Sequence, residues 1–209
     1  MNRPEMRTQV PCLSVRQINC DARENWRLPT YQRPLVWTPE QALALVESVY
    51  EGYPIGSLLV WERKYGDYLL LDGQQRVAAL TGIRCGTNEP GPAVGWSFLQ
   101  QKWCLDPGDD ADDWFSILWW FSTDTRDRMQ ELWRLQDKYE GPEHKEDREG
   151  PWATALYAFD RLEGCIAPIH LLERATAAQA VEAFRRLNTT GTPIDFDELT
   201  RLLEAERSL

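Results

Sequence analysis

The feature that most constrains this fold is a short apolar run, residues 69–71, that ends in a polar turn at residues 72–76. The residues after the turn repeat at the spacing of one helix face: Val77, Leu80 and Ile83. Asp72 and Gln75 have the spacing of a capping box, so the sequence predicts an N-cap at Asp72. Gly73 permits a tight turn between the two elements. The stretch therefore predicts a strand, a turn and a helix in direct succession.

The same turn has residues that suit an anion. The first amides of a helix are donors at the positive end of its dipole, which favours phosphate. Arg76 adds a fixed fork of donors that matches phosphate oxygens. A second interpretation is an ordinary helix start in which Arg76 pairs with a nearby carboxylate. This stretch does not decide between the two interpretations, because a local pattern is not a function.

Composition limits the classes of protein to consider. The chain has 209 residues, enough for one domain with a sizeable core or two small ones. Its formal net charge of −10 argues against bulk electrostatic binding of DNA, so any DNA contact needs a local basic patch or another chain. No apolar run reaches membrane-spanning length, and the first ten residues lack a signal-peptide core. We expect a cytoplasmic protein without a membrane partner.

Cysteine and histidine usage predicts no metal site. The five cysteines are odd in number and contain no Cys-x-x-Cys pair, which is typical of free, buried thiols in a reducing compartment. The two histidines, His144 and His170, have no ligand spacing. Residues 106–113 contain five aspartates but lack the alternation and closing glutamate of a calcium loop. We interpret that stretch as a solvated loop.

Elements in the first eighty residues are well marked. Residues 13–18 form a strand candidate, and Thr38-Pro39 with Gln41 predicts a helix start. Gly52 is placed to end that helix. Two strands, residues 55–62 and 68–71, then lead to the turn. The predicted order is strand, loop, helix, hairpin, loop and helix.

The pattern is looser after Ile83. Residues 96–105 and 114–122 are strand candidates, and residues 126–139 predict a helix with Met129, Leu132, Trp133 and Leu135 or Gln136 facing inward. A helix at residues 152–162 and a strand at 165–172 follow, and Pro168 predicts that this strand lies at a sheet edge. Thr176 and Asp195 are predicted to begin two further helices, which flank a polar loop at residues 188–193.

Five of the ten tryptophans lie in the middle of the chain: Trp96, Trp103, Trp114, Trp119 and Trp120. Two interpretations stay open for them. They either fill one core or leave an exposed apolar patch through which the chain binds itself or a partner.

Four motifs occur in a fixed order: Tyr-Gln-Arg-Pro at residues 31–34 before Trp37, Gly-Tyr-Pro-Ile-Gly-Ser at 52–57, Asp-Gly-Gln-Gln-Arg at 72–76, and Phe184-x-x-Leu187-Asn188-x-x-Gly191. Together they resemble the N-terminal domain of GmrSD-type, modification-dependent (type IV) restriction enzymes, whose relatives include SspE-like effectors. The resemblance is dense at residues 25–83 and returns at residues 180–200. It leaves residues 86–150 as a variable, tryptophan-rich insertion in a single domain spanning residues 1–209.

The resemblance implies an α/β fold of the ParB/sulfiredoxin-like kind, with a mixed sheet and flanking helices. It implies that the turn is the phosphate site of a nucleoside triphosphate, with catalytic roles for Asp72, Gln74, Gln75 and Arg76. The neighbouring nucleotide pocket is then lined by Tyr31, Gln32, Arg33, Gly73, Asn188 and Gly191. Members of the family are associated with nucleotide hydrolysis that gates DNA restriction.

The chain departs from that family pattern in one respect. Typical members continue into a helical region and an HNH nuclease, whose metal-binding and base histidines are not supplied by two scattered histidines. A Gly-x-x-x-x-Gly-Lys-Ser/Thr loop is also missing from the sequence, which excludes a P-loop NTPase. We therefore expect an NTPase that is not a nuclease on its own and acts with a separate nuclease or effector subunit, in phage defence.

Several points stay open at this stage. ATP, GTP and CTP are equally acceptable nucleotides, with or without Mg²⁺. Asp72 either caps the helix or helps to hold Mg²⁺ through water, and either Gln74 or Gln75 orients the attacking water. The alternative function is a non-catalytic module that binds a nucleotide or a partner and hydrolyses nothing.

Overall fold

The computed structural model of the chain describes residues 5–29, 35–87, 89–108, 112–139 and 150–187, together with Thr200. In chain order its elements are β1 (Arg7–Gln9), β2 (Cys12–Ser14), α1 (Val15–Glu24), β3 (Trp26–Arg27), α2 (Pro39–Glu51), β4 (Leu58–Lys64), β5 (Asp67–Asp72), α3 (Gln74–Thr81), β6 (Val94–Ser97), β7 (Lys102–Leu105), β8 (Trp114–Ser116), α4 (Ile117–Ser122), α5 (Thr125–Tyr139), α6 (Pro151–Gly164), β9 (Ile166–Glu173) and α7 (Ala177–Leu187).

The larger sheet is mixed. β9 pairs in parallel with β4 on one side and antiparallel with both β1 and β2 on the other. β5 pairs antiparallel with β4 and in parallel with β3. The predicted fold class, α/β with a mixed sheet and flanking helices, is therefore confirmed. The more specific ParB/sulfiredoxin-like assignment stays a prediction.

Both faces of the central strand pair are buried. Leu58 and Val60 of β4 belong to the main core, together with residues of α1, α2, α3 and α6. Leu59 and Trp61, which alternate with them, belong to a second cluster that includes Ala180 and other residues of α7. A strand covered on both faces needs a continuous apolar run rather than alternation. This is why residues 58–61 and 69–71 are apolar throughout.

The capping signals of two helices, α2 and α7, are confirmed. Thr38 and Gln41 form a capping box at the start of α2, and Gly52 ends that helix in the left-handed region at φ +94°. Thr176 Oγ1 accepts from Gln179 N (3.2 Å), while Thr176 N donates to Gln179 Oε1 (2.8 Å), before α7. The helix predicted at residues 152–162 is α6. The helix predicted to begin at Asp195 lies outside the described residues.

Two predicted strands are wrong at their carboxyl ends because a serine ends each of them. Residues 13–18 are strand only to Ser14, which forms a capping box with Gln17 and begins α1. Residues 114–122 are strand only to Ser116, whose Oγ accepts from Trp119 N at the start of α4 (2.9 Å). A serine hydroxyl satisfies one free amide of a helix, which favours the switch from strand to helix.

The strand predicted at residues 96–105 is instead a hairpin. β6 and β7 pair antiparallel, with Trp96 opposite Trp103, and β8 pairs with the other side of β6. The connection contains Gln101 at φ +49°, a left-handed conformation that ends the strand. The sequence lacks a strong turn signal at this point, since Leu99-Gln100-Gln101 contains neither glycine nor proline.

The prediction that Pro168 places its strand at a sheet edge is also wrong. β9 lies between β4 and the β1 and β2 strands. Pro168 lies opposite Cys12, and the parallel pairing with β4 begins only at Ile169. Ile169 N donates to Pro11 O (2.8 Å). The N–H that Pro168 lacks is therefore not needed for the pairing with β4.

The tryptophan-rich region mainly fills a core. Trp96, Trp103 and Trp120 are at most 4% exposed and belong to the main hydrophobic cluster. Trp120 stacks on Phe159 of α6 with ring centroids 3.9 Å apart. Trp133 was expected to face inward, but its exposed fraction is 47%. α5 instead buries Leu132, Leu135 and Gln136, which lie on one helix face.

Within the described residues, none of the helices combines the length and the apolar character needed to cross a bilayer. The five cysteines are free thiols, as predicted, but the expectation that they are buried is wrong for Cys12 and Cys20, which are exposed. Burial raises the pKa of the Cys85 thiol to about 12. That thiol is therefore a packing group and not a nucleophile.

Replacing Trp96 tests the packing of the three-stranded sheet formed by β7, β6 and β8 against α2 and α6. Trp96→Ala removes a fully buried ring that contacts Trp103 and Tyr50, with centroid distances of 5.5 and 5.7 Å. We expect the free energy of unfolding to fall by about 3–5 kcal/mol in urea titration. The matched control is Trp133→Ala, whose ring is 47% exposed and whose removal should change it by less than about 1 kcal/mol. Equal losses in the two variants would contradict the assigned core.

Candidate functional site

The polar turn lies where β5 ends and α3 begins. Asp72 is the last residue of β5, opposite Leu59 of β4, and α3 starts at Gln74. Gly73 occupies the N-cap position at φ +102° and has no side chain with which to cap the helix. The prediction that Asp72 is the N-cap is therefore wrong. The left-handed glycine takes that position, and the Asp72 carboxylate turns to another partner.

That partner is Arg76. Its Nη2 donates to Asp72 Oδ2 at 2.8 Å, and its Nη1 donates to Ile55 O at 3.3 Å. The two side chains are partly buried, with exposed fractions of 20% for Arg76 and 33% for Asp72. The pairing of Arg76 with a nearby carboxylate, the second interpretation of the turn, is thus observed. It leaves the guanidinium partly open to solvent.

Two glycines make room for the Arg76 guanidinium. At Gly56 (φ +75°) a Cβ atom would lie 2.7 Å from Arg76 Nη1. At Gly73 a Cβ atom would lie 2.2 Å from Leu58 Cδ2 and 3.4 Å from Arg76 Nη2. Neither position accepts a side chain without displacing its neighbours, and both have backbone angles that favour glycine. Arg76 therefore lies in a notch between the loop at residues 52–57 and the turn.

Gln75 connects the turn to the segment that follows the first motif. Its Oε1 accepts a hydrogen bond from Trp37 N at 3.2 Å. Trp37 comes four residues after Arg33 in the sequence. The predicted pocket residues Tyr31, Gln32 and Arg33 themselves lie outside the described residues. The Trp37 contact nevertheless brings the end of that motif region to the turn, as the prediction of a shared site requires.

The fourth motif begins at Phe184, in the last turn of α7. Phe184 belongs to the same buried cluster as Leu71, the residue before Asp72. Two arginines in the last turn of α7, Arg185 and Arg186, could contact a phosphate or form a solvated face. Both pair with Glu182 at 2.7 Å, and their side chains are 49% and 75% exposed, which favours the solvated face. Asn188 and Gly191 lie outside the described residues.

No side-chain cluster in the described ranges, which break at 30–34, 88, 109–111, 140–149 and 188–199, offers three or more metal-ligand residues. Asp72 carries the one carboxylate of residues 72–76, and that carboxylate pairs with Arg76. A divalent ion at this turn would need oxygen ligands from a bound phosphate and water, which is how Mg²⁺ commonly binds in nucleotide sites.

Sequence reasoning missed some groups at this site. They are the Ile55 carbonyl, Gly56, the Leu58 methyl group and the Trp37 N–H. Gly56 and Ile55 belong to the motif at residues 52–57. The signal in the sequence that could have indicated their role is that Gly56 and Gly73 both precede Arg76. A backbone carbonyl carries no signature in a sequence, so its role in holding Arg76 appears only in three dimensions.

Comparison with known protein families gives a match over most of the chain. The sequence model of the family described as GmrSD restriction endonuclease, N-terminal domain, matches residues 15–203. That range covers most of the chain and includes all four motifs. A search among curated proteins finds no significant match.

Gly73→Ala tests the packing of the turn. The new methyl group meets Leu58 and the backbone has a positive φ, so we expect a loss of about 2–4 kcal/mol in unfolding free energy. Gly66→Ala is the matched control, because it has φ +77° with no atom within 4 Å of the added Cβ. Its loss, about 1–2 kcal/mol, measures backbone strain alone. Equal losses in chemical denaturation would show that Leu58 does not pack against Gly73.

Proposed function

Since the chain belongs to the family of GmrSD restriction endonuclease N-terminal domains and is therefore a restriction-system component, we propose that it binds a nucleoside triphosphate at residues 72–76. We further propose that it hydrolyses the nucleotide and thereby regulates DNA restriction against phage in the cytoplasm. A separate nuclease or effector subunit then cuts the DNA. ATP, GTP and CTP are all candidate nucleotides, with or without Mg²⁺.

The observation that carries this proposal is the fixed position of Arg76 in the first turn of α3. Two acceptors hold its guanidinium, Asp72 Oδ2 and Ile55 O, and two glycines leave space around it. A guanidinium that is already oriented loses little side-chain entropy when it binds a phosphate oxygen. Its location at a helix N-terminus adds the positive end of the dipole. These features support a preorganised phosphate site.

Each residue of the turn has a role in the proposal. Arg76 and the backbone at the start of α3 hold the β- and γ-phosphates and stabilise the charge that develops during transfer. Gly73 lets the backbone approach the phosphates. Gln74 or Gln75 orients the attacking water. Asp72 positions Arg76 through the ion pair, or binds a water of Mg²⁺.

The pocket beside the turn enters the proposal through the resemblance. By that resemblance, its lining residues would be Tyr31, Gln32, Arg33, Asn188 and Gly191. Arg33 would add a second cation beside Arg76. Two guanidinium groups repel each other unless an anion lies between them, which is a further reason to expect phosphate at this position.

A non-catalytic module is the second candidate function, and one observation favours it. Asp72, Arg76 and Ile55 together join the end of β5 to the loop at residues 52–57. Such a contact stabilises the fold even when no ligand binds. In this second case the chain binds a nucleotide or a partner and releases no phosphate.

Arg76→Ala tests nucleotide binding. We expect calorimetric titration with ATP, GTP and CTP to show a loss of about 1.5–3 kcal/mol for the nucleotide that binds, since a charge-assisted hydrogen bond is removed. Arg76→Lys should restore little, because an ammonium does not reproduce the planar fork. Arg63→Ala is the matched control, because Arg63 of β4 pairs with Asp67 of β5 at 2.7 Å. Arg63 and Asp67 are four positions apart, as Asp72 and Arg76 are. Equal affinity in all four proteins would rule out the phosphate site.

Phosphate release separates the two candidate functions. We expect the wild type to release phosphate with Mg²⁺ and one nucleotide, and Arg76→Ala to lose this activity. Binding without release would establish the non-catalytic module instead. Asp72→Asn then assigns the carboxylate: a role in positioning Arg76 lowers nucleotide affinity equally with and without Mg²⁺, while a role at the metal lowers it only when Mg²⁺ is present.

A further inference from the structure

One edge of the larger sheet is a single strand that spans both β1 and β2. The two segments pair with β9 in one unbroken register. The register continues between them, because Ile169 N donates to Pro11 O (2.8 Å). Pro11 has no N–H with which to complete that pair, and this interrupts the ladder between β1 and β2. Residues 7–14 are therefore named the edge strand. Among the strands of the described residues, β9 alone pairs with it.

The backbone groups of the edge strand alternate between β9 and the open side. In an antiparallel pair, residues that exchange hydrogen bonds with the partner strand alternate with residues whose N–H and C=O groups point away. Pro11 O accepts from β9, and Val15 N donates to Cys165 O just before β9 (both 2.8 Å), so odd-numbered residues face β9. Ser14 N accordingly points away and donates to the Gln17 side chain (2.8 Å). The other residues with outward backbone groups are Thr8, Val10 and Cys12.

The features that usually protect a sheet edge do not block this open side. Proteins protect exposed edges with charged side chains, above all lysine, and with proline. Residues 8–14 contain no charged side chain, although the whole chain has 33 acidic and 23 basic residues. Pro11 is present, but the N–H that it lacks would face β9. The open side therefore keeps its donors and acceptors at Thr8, Val10 and Cys12.

An exposed, uncharged surface accompanies these backbone groups. The even-numbered side chains of the edge strand share one face of the sheet, and Ile166 lies on that face because it is opposite Ser14. The side chains of Met6, Val10 and Ile166 are 38%, 53% and 59% exposed. Leu13 lies on the opposite face and packs against the main core. Exposed apolar side chains beside an open sheet edge indicate an interaction surface.

We propose that the edge strand pairs with the edge strand of a second copy of this chain, in an antiparallel ladder centred on Val10. A two-fold axis at this position places Val10 opposite the partner's Val10, and Thr8 opposite the partner's Cys12. Each of these pairs exchanges two backbone hydrogen bonds. The larger sheets of the two copies then form one continuous sheet. The axis lies at Val10 because this register pairs all three outward residues.

Self-complementarity is the reason to expect a second copy at this edge. A two-fold interface needs a surface that matches itself. In the proposed register Met6 lies beside the partner's Ile166, so the exposed apolar side chains meet one another. Arg7 is the one charged residue of the edge strand; it faces an uncharged residue of the partner and keeps Glu173 of its own chain at 3.9 Å. Two chains that each have a formal net charge of −10 can thus approach without opposing like charges.

Disulfide trapping in the full chain tests the register. Residues of a hydrogen-bonded antiparallel pair have Cα atoms about 5.5 Å apart, a separation that a disulfide can bridge. Val10→Cys, combined with Cys12→Ser and Cys20→Ser, should therefore give a covalent dimer under mild oxidation. The two exposed native thiols are absent from this variant, so the cross-link comes from position 10. A non-reducing denaturing gel measures the dimer.

Thr8→Cys supplies two matched controls at a neighbouring exposed position. Combined with Cys20→Ser alone, it should also give a covalent dimer, because position 8 faces the partner's Cys12. Combined with both Cys12→Ser and Cys20→Ser, it should give none. The two introduced thiols are then four residues apart along the ladder, about 14 Å.

Sedimentation velocity without nucleotide tests the association itself. We expect the wild type to form a reversible dimer as its concentration rises. Val10→Lys should weaken the dimer by at least about tenfold, because two like charges then face each other at the axis. The Val10 side chain is 53% exposed, so the variant should keep the circular dichroism spectrum of the wild type. Tyr65→Lys is the matched control: Tyr65 is 99% exposed between β4 and β5, and this variant should dimerise normally.

A wild type that stays monomeric at high concentration would overturn the proposal. A dimer that Val10→Lys leaves unchanged, or that does not cross-link through position 10, would overturn it by placing the interface elsewhere. Cross-linking of Thr8→Cys without Cys12 would overturn the proposed axis. These measurements do not involve nucleotide or Arg76, so this proposal and the proposed function succeed or fail separately.

Discussion

Burial of both faces of the β4–β5 strand pair is the constraint on which the rest of this structure depends. Leu58 and Val60 require helices on one side, and Leu59 and Trp61 require α7 on the other. β9 pairs with β4, and the helices between β5 and β9 contribute buried residues to the main core. The β6–β7 hairpin packs into the main core through Trp96 and Trp103, and the Trp103 ring contacts Phe159 of α6. The polar turn begins where the buried strand stops, and its polar side chains are partly buried.

Arg76 connects the end of β5 to the loop after α2. Arg76 is held by a carboxylate at the end of β5 and by a carbonyl in the loop after α2, and Gly56 leaves room for its Nη1. The same contact serves stability and the proposed phosphate site. The two protein acceptors stabilise the fold, while in the proposed site a phosphate would bind the part of the Arg76 side chain that remains exposed. Such a double use would make the motif serve packing as well as the proposed ligand.

The sequence by itself determined the fold class, the succession of strand, turn and helix at residues 69–80, and the starts of α2 and α7. These depend on neighbours within a few positions, where apolar spacing and capping residues act directly. Tertiary structure decided the partner of Asp72, the exposure of Trp133, the central position of β9 despite Pro168, and the Ile55 carbonyl at Arg76. Each of these depends on groups far apart in the chain. A carboxylate near a helix start can cap that helix or pair with an arginine, and only the left-handed Gly73 at the N-cap decided between them.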